Sequence, residues 1–211
     1  MSHAFLAIAA TPAVKAAQAE RGSRHAYSRL EGGPPTHDCL GGAEAAFIAA
    51  RDSFYMATVS ETGWPYLQHR GGPPGFLHVL DDRTLGLADL RGNRQYISLG
   101  NLAGNDRAAL ILMDYPNRRR LKLYARVTSC EAADDPALME RLAVHRTAVT
   151  VERALLLHVE AFDWNCPQHI TPRFTAAEVE PAVASLRHRL LALEAENAAL
   201  RARLHPEGTT P

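Results

Sequence analysis

Between residues 54 and 164 the hydrophobic and polar positions fall into short runs with period two, as in strands that bury one face. Phe54, Met56 and Thr58 alternate with Tyr55, Ala57 and Val59. Glu61-Thr62-Gly63 supplies a turn, Gly63 being free to adopt positive φ. A second strand covers Pro65 to Arg70, followed by the corner Gly71-Gly72-Pro73-Pro74-Gly75 and a third strand ending at Leu80. Asp81-Asp82-Arg83 is a turn and Thr84 to Ala88 a strand, so residues 54–88 are expected to form an antiparallel meander. Asp106 to Asp114 is an apolar run of strand length. After the turn Tyr115-Pro116-Asn117, a strand running to Cys130 places Arg120, Lys122 and Tyr124 on one face and Leu121, Leu123 and Ala125 on the other. Arg153 to Trp164 is the last strand.

Helix signals lie between and around these runs. Thr11 can cap a helix with Pro12 at its first position and Gly22 after its end. Ala43 to Arg51, a segment starting near Asn93, and Ala137 to His145 behind Asp135-Pro136 are further helices. Six to seven short strands joined mostly by tight turns predict a mainly β, α+β fold. It would be a closed or half-closed antiparallel barrel with crossover helices.

The period changes after Thr175, which can cap a final helix. Val179, Leu186, Leu193 and Leu200 recur every seven residues, interleaved with Val183, Leu190, Asn197 and Leu204. With the second series at a and the first at d, this is a heptad seam. Arg189 and Glu196 fall at g and Glu194 and Arg201 at e, so each g-to-e′ pair of a parallel dimer joins opposite charges. A helix packed on the barrel would explain the apolar stripe, but not the charges or Asn197. The expected organisation is an N-terminal helix and loop on the barrel (1–42), the barrel (43–174), and a zipper helix with a short tail (175–211).

Composition narrows the function classes. Lys+Arg and Asp+Glu number 23 each in 211 residues, which gives no overall electrostatic case for nucleic acid or an anionic membrane. Three cysteines without a CxxC pair fit a reducing compartment, and no run of about 18 apolar residues suggests a membrane span. A cytoplasmic protein is the expectation. His37-Asp38-Cys39 has no second ligand cluster at zinc spacing, and a surface loop is the better reading.

Two stretches carry candidate chemistry. Gln68-His69-Arg70 ends a strand in long polar side chains against bare Gly71-Gly72, either a site for a planar anionic ligand or a polar edge strand. Arg91-Gly92-Asn93-Arg94 precedes a helix start, where free N–H groups and full positive charges suit a phosphate; a solvated basic helix start is the alternative. Arg120 and Lys122 could complete an anion site or face solvent.

Taken in order, FYMATVSETGWPYLQHRGGPPGF, DDRTLGLAD, RGNRQYISLGNLAGNDRAALILMDYPNRRRLKLYARV and FDWNCPQHITPRF resemble the pyridoxamine 5′-phosphate oxidase-like FMN-binding split-barrel family. The resemblance covers about Ala43 to Phe174 and implies a split barrel with FMN at a homodimer interface. It implies that Gln68, His69 and Arg70 meet the ring edge or ribityl chain. The phosphate would lie by Arg91, Asn93 and Arg94, with Tyr96 and Ser98, and Arg120 and Lys122 would bring a cation from a neighbouring strand. Trp164, Asn165 and Gln168 would approach the flavin by the loop Trp164 to His169. Related barrels also bind deazaflavin or haem.

The substrate-phosphate motif of true pyridoxamine phosphate oxidases is replaced by NCPQHITPRF and the zipper, so the resemblance fixes no substrate. It implies an FMN-dependent oxidoreductase acting on a small molecule or electron donor, with His169 or Cys166 on the substrate side. For Cys166, followed by Pro167, a structural thiol is the better reading. The alternative is a non-catalytic flavin-binding or ligand-sensing dimer.

Overall fold

The computed structural model describes residues 2–143, 150–164 and 167–204. By internal contacts the chain forms two compact units, Met1–Ile170 and Thr171–Pro211. The first runs β1 (Ser2–His3), α1 (Ala4–Ala9), α2 (Pro12–Glu20), α3 (Arg24–Ser28), β2 (Pro35–Thr36), α4 (Gly42–Ala49), β3 (Ser53–Val59), β4 (Pro65–Gly71), β5 (His78–Val79), β6 (Thr84–Leu90), α5 (Ile97–Gly104), β7 (Arg107–Asp114), β8 (Arg119–Glu131), α6 (Pro136–Arg141) and β9 (Val151–Trp164).

The main sheet has seven strands in the order β4-β3-β7-β8-β9-β6-β5, and every neighbouring pair is antiparallel. The expected strands are present, but the meander over residues 54–88 is not. The hairpins β3-β4 and β5-β6 lie at opposite edges of the sheet. The Gly/Pro corner crosses from one edge to the other instead of turning back on β4, because the β5-β6 hairpin pairs through β6 with β9.

Arg70 of β4 and Asp89 of β6 nonetheless stand 2.6 Å apart. The sheet therefore curls until its two ends face each other, with no ladder joining β4 to β6. This is the split of the barrel. Phe54, Met56, Leu85, Leu87, Leu110, Leu112, Leu121, Leu123 and Leu157 fill the interior, and each such side chain contributes roughly 1.5–3 kcal/mol by leaving water.

Two bulges bend the long strands. Tyr124 pairs with Ala161 and Ala125 with Val159, leaving Glu160 as the extra residue; Asp89 pairs with Arg153 and Leu90 with Val151, leaving Glu152 as the other.

Local rules account for the helix ends. Thr11 Oγ1 accepts the Val14 N–H above Pro12, and Asp135 accepts the Leu138 N–H above Pro136. The helix expected near Asn93 begins only at Ile97. Arg94 and Tyr96 both adopt positive φ (60° and 51°), which breaks any helix through them. The helix expected over 137–145 ends at Arg141, and His145 lies outside the described residues. In the second unit, α7 spans Ala176–Leu204. It opens on a reciprocal cap in which Thr175 Oγ1 accepts the Glu178 N–H and Glu178 Oε2 accepts the Thr175 N–H. No helix among the described residues is long and apolar enough to cross a membrane.

Candidate functional site

The split of the barrel forms a small cleft of ≈ 70 Å³, walled by Tyr66, Gln68 and Arg70 of β4, Asp89 and Leu90 of β6, Gly92 to Leu99, and Glu152. Period two on β4 turns Tyr66, Gln68 and Arg70 to the side shared with Phe54, Met56 and Thr58, while Pro65, Leu67 and His69 face outward. His69 is exposed and meets the Tyr55 ring edge-on, 5.4 Å between centroids.

Helix α5 fixes the loop that closes the cleft. Its buried Ser98 and Asn101, three residues apart, share one face. Ser98 Oγ donates to Gln68 Oε1 on β4 (2.7 Å), and Asn101 Nδ2 donates to Thr58 Oγ1 on β3 (3.0 Å). Two polar pins thus lock the helix across the β3-β4 hairpin. The Tyr96 side chain at the N-cap accepts no N–H of the first helical turn, so that turn faces the cleft without a cap. The loop itself is shaped by an Asx turn, Asn93 Oδ1 accepting the Gln95 N–H (3.2 Å).

The cleft is lined by paired charges. Arg70 donates through Nη1 to Asp89 and through Nη2 to Gln68 Oε1 (3.3 Å). Arg153, almost fully buried, lies between Asp89 and Glu131 on its two neighbouring strands and donates to them at 3.1 and 3.0 Å. Burial works against that charge, but the Glu131 and Asp89 carboxylates outweigh it and hold the Arg153 pKa above its ordinary value. Glu152, the bulge residue, accepts the Tyr96 O–H (3.0 Å) and pairs with Arg91 Nε (3.4 Å). Arg94 interacts with Tyr96, whose hydrogen bond raises the guanidinium pKa. One buried donor, Arg70 Nε, has no partner among the described residues.

The structure therefore brings together Gln68, Arg70, Asn93, Arg94, Tyr96 and Ser98, with Arg91 on the rim. Within one chain it does not bring the remaining expected residues to this cleft. Lys122 pairs with Asp163 (3.2 Å) and lies over the Phe5 ring, and Phe5 stacks on Tyr124, so α1 covers this part of β8. Arg120 is half-buried on the same face of β8, with its Nε unpartnered among the described residues. Trp164 Nε1 donates to Glu44 Oε1 (2.7 Å), and its ring meets Phe47 edge-on. Gln168 and His169 are exposed, His169 at φ 64°, and Asn165 and Cys166 lie outside the described residues.

Sequence reading missed Asp89, Glu152 and Arg153. Period two in the strands was the available signal, and it fails at a bulge, which is where Glu152 sits.

The sequence profile of the pyridoxamine 5′-phosphate oxidase family matches residues 40–164. Among solved structures, a candidate pyridoxamine 5′-phosphate oxidase from Lactobacillus delbrueckii is 21% identical, covering 60% of this chain and 94% of its own, at a TM-score of 0.47. An FMN-binding protein from Syntrophomonas wolfei is 14% identical, covering 57% and 81%, at 0.43. An F420 reductase is 17% identical, covering 59% and 98%, at 0.41. No curated protein matches the chain at a significant level. The family match runs from Leu40 to Trp164, over half of the chain, and takes in both walls of the cleft; the chain belongs to the pyridoxamine 5′-phosphate oxidase family.

Proposed function

We propose that this chain binds FMN at the split of the barrel, with the phosphate at the loop Arg91 to Tyr96 and the ring along β4, and that it works as a flavin-dependent oxidoreductase in a homodimer. The observation that carries the reading is the convergence of Arg70, Arg91 and Arg94 with the uncapped first turn of α5. The residues fit such a ligand. Arg70 Nε is a buried donor waiting for an acceptor. Gln68 Oε1 is already taken by Ser98 and Arg70, which leaves its amide N–H groups to offer to a ring heteroatom.

A cleft of ≈ 70 Å³ is far below the several hundred Å³ that enclose a whole cofactor, so it holds one end of the ligand. The remainder would lie along the open sheet, covered by a second copy. Supporting that, Trp64, just before β4, and Leu67 on it are exposed, and an apolar groove lined by Ile8, Ala57, Val59, Pro65, Ala109 and Tyr124 crosses β3, β7 and β8. When bound, the flavin supplies hydride or electron transfer; the protein binds, orients and sets the electrostatics.

The second reading, a flavin-binding or ligand-sensing dimer without turnover, has one observation in its favour. The described lining of the cleft contains no His or Cys, and His169 is exposed.

The absorption spectrum of the purified protein, with FMN added, tests both. A flavin band that bleaches with NAD(P)H supports the oxidoreductase, and a band inert to reductant and oxygen supports the sensor. A colourless protein that fails to take up FMN overturns flavin binding; uptake of a deazaflavin or haem instead would redirect the reading to that ligand.

A further inference from the structure

We infer that α7 pairs with α7 of a second copy as a parallel, in-register two-stranded coiled coil, an interface separate from the barrel. The helix is continuous from Ala176 to Leu204, and Pro181 falls at an outer f position. Its a and d positions form one stripe, yet Leu186, Leu190, Leu193, Leu200 and Leu204 are each about half exposed or more, up to 75%. A soluble helix with that stripe uncovered has an apolar face without an occupant.

Charge identifies the occupant. Arg189, Glu194, Glu196 and Arg201 flank the stripe, and none of them makes an ion pair among the described residues; the ion pair within α7 is Arg187 with Glu180. Their spacing explains this. Each opposite-sign pair is five residues apart, which sets the two side chains about 140° apart around one helix, whereas Arg187 and Glu180, seven apart, share a face. Five is the g-to-e′ spacing between parallel helices, so Arg189 meets Glu194 of the second copy and Glu196 meets its Arg201.

Asn197 fixes direction and register. It is the polar residue in the stripe. In a parallel in-register pair it faces its own copy and the two amides hydrogen-bond. Antiparallel, or shifted by a heptad, it would face Leu or Val and bury an unpaired amide.

The test uses the full chain and does not depend on flavin. Dimer dissociation is measured by sedimentation for the parent, Arg189→Glu, Glu194→Arg and the double variant. Each single variant raises Kd by about tenfold, since a symmetric pair turns from attraction to repulsion twice, and the double variant returns within about threefold of the parent. Because residues 189 and 194 do not meet on one helix, rescue reports contact between copies. Unchanged Kd in the single variants, or a double variant as weak as the sum of both, overturns the pairing.

Register is read by oxidation in a background with Cys39, Cys130 and Cys166 changed to Ser. Leu200→Cys at d cross-links between chains, while Ala195→Cys at f does not. Equal cross-linking, or none at either position, overturns the parallel in-register arrangement. A protein that fails the spectral test for flavin yet passes here loses its cofactor assignment and keeps its coiled coil.

Discussion

Asp89→Asn should destabilise the barrel and tighten anion binding together. Asp89 accepts from Arg70 Nη1 at 2.6 Å and from Arg153 Nη1 at 3.1 Å, and the three side chains are 18%, 12% and 9% exposed. A hydrogen bond to a charged partner contributes about 1.5–3 kcal/mol. Asparagine keeps one acceptor oxygen but turns an amide N–H₂ toward a guanidinium, donor against donor. The loss stays below the roughly 3–5 kcal/mol of a wholly orphaned buried charge, because Arg153 keeps Glu131 and Glu152 and Arg70 keeps Gln68. The expected cost is about 2–3 kcal/mol, or a fall in Tm of about 5–10 °C. Urea unfolding followed by circular dichroism should show a lower midpoint at unchanged slope. Inorganic phosphate should bind the variant more tightly, because a negative charge has left the cleft wall. Combining Asp89→Asn with Arg70→Gln should give a coupling of about 1 kcal/mol or more. A stability change under about 0.5 kcal/mol, with phosphate affinity unaltered, would refute the claim that this ion pair closes the two ends of the sheet.

Ser98→Ala removes the pin between α5 and Gln68. It should cost about 1 kcal/mol in stability and weaken FMN binding several-fold in a fluorescence titration, whereas equal affinity would show that Gln68 needs no anchor. Gly72→Ala would place its Cβ 2.7 Å from Phe76 Cβ and Cγ, atoms close to the backbone, and should cost about 1–3 kcal/mol; Gly86→Ala meets only the movable ends of Leu142 and Leu80, at 2.9 Å, and should cost less in the same urea assay. Burial alone would raise the Glu44 pKa, but hydrogen bonds from Trp164 Nε1 and from the Glu44 and Gly41 N–H groups outweigh it and hold it below the usual 4.5. The contribution is therefore full above about 4.5 and disappears as pH falls through the lowered value, so Trp164→Phe should flatten the acid limb of a Tm-against-pH curve; superimposable curves would count against it.

What was legible in the sequence was what period and turn chemistry encode. Alternation located β3 and β8, strand-length runs between turns located β4, β6, β7 and β9, and Thr11, Asp135 and Thr175 marked three helix starts through one capping rule. Pairing was less legible. Nothing local says whether the residues after Gly71-Gly72 turn back on β4 or cross the barrel, since that depends on β6 pairing with β9, far later in the chain. The site was half legible for the same reason. Gln68 and Arg70 were found as a polar strand end, and strand alternation then separates them from His69 between them. Arg153 drew no notice because its partners, Asp89 and Glu131, come from two other strands and become neighbours only in register. The short N-terminal elements α1, α3 and the β1-β2 pair also escaped, being two to six residues long and held by tertiary contacts such as Phe5 on Tyr124.

A cleft proposed to take an anion yet lined by Asp89 and Glu152 ranks its own arginines. Arg153 has Asp89, Glu131 and Glu152 around it and is nearly buried, so it orders the wall and does not reach a ligand. Arg70 is committed to Asp89 through Nη1 and to Gln68 through Nη2, and Nε is its nitrogen without a partner among the described residues. Arg91 pairs with Glu152 at 3.4 Å while half exposed, a contact that water already weakens. Arg94 interacts chiefly with Tyr96, with a smaller attraction to Glu152, so its charge is the least neutralised of the four. A phosphate entering the cleft should therefore draw most of its affinity from Arg94. Arg94→Gln should weaken FMN binding by about tenfold, the loss of one charge-assisted hydrogen bond, and Arg91→Gln by about threefold or less because Glu152 is freed at the same time. Titrations at low and high salt separate this from a change in fold, since a lost phosphate contact lowers the salt sensitivity of binding whereas a misfolded loop lowers affinity at every ionic strength. Equal losses from the two variants would mean that the acidic residues do not set the order, and that the loop binds as a diffuse patch of positive charge.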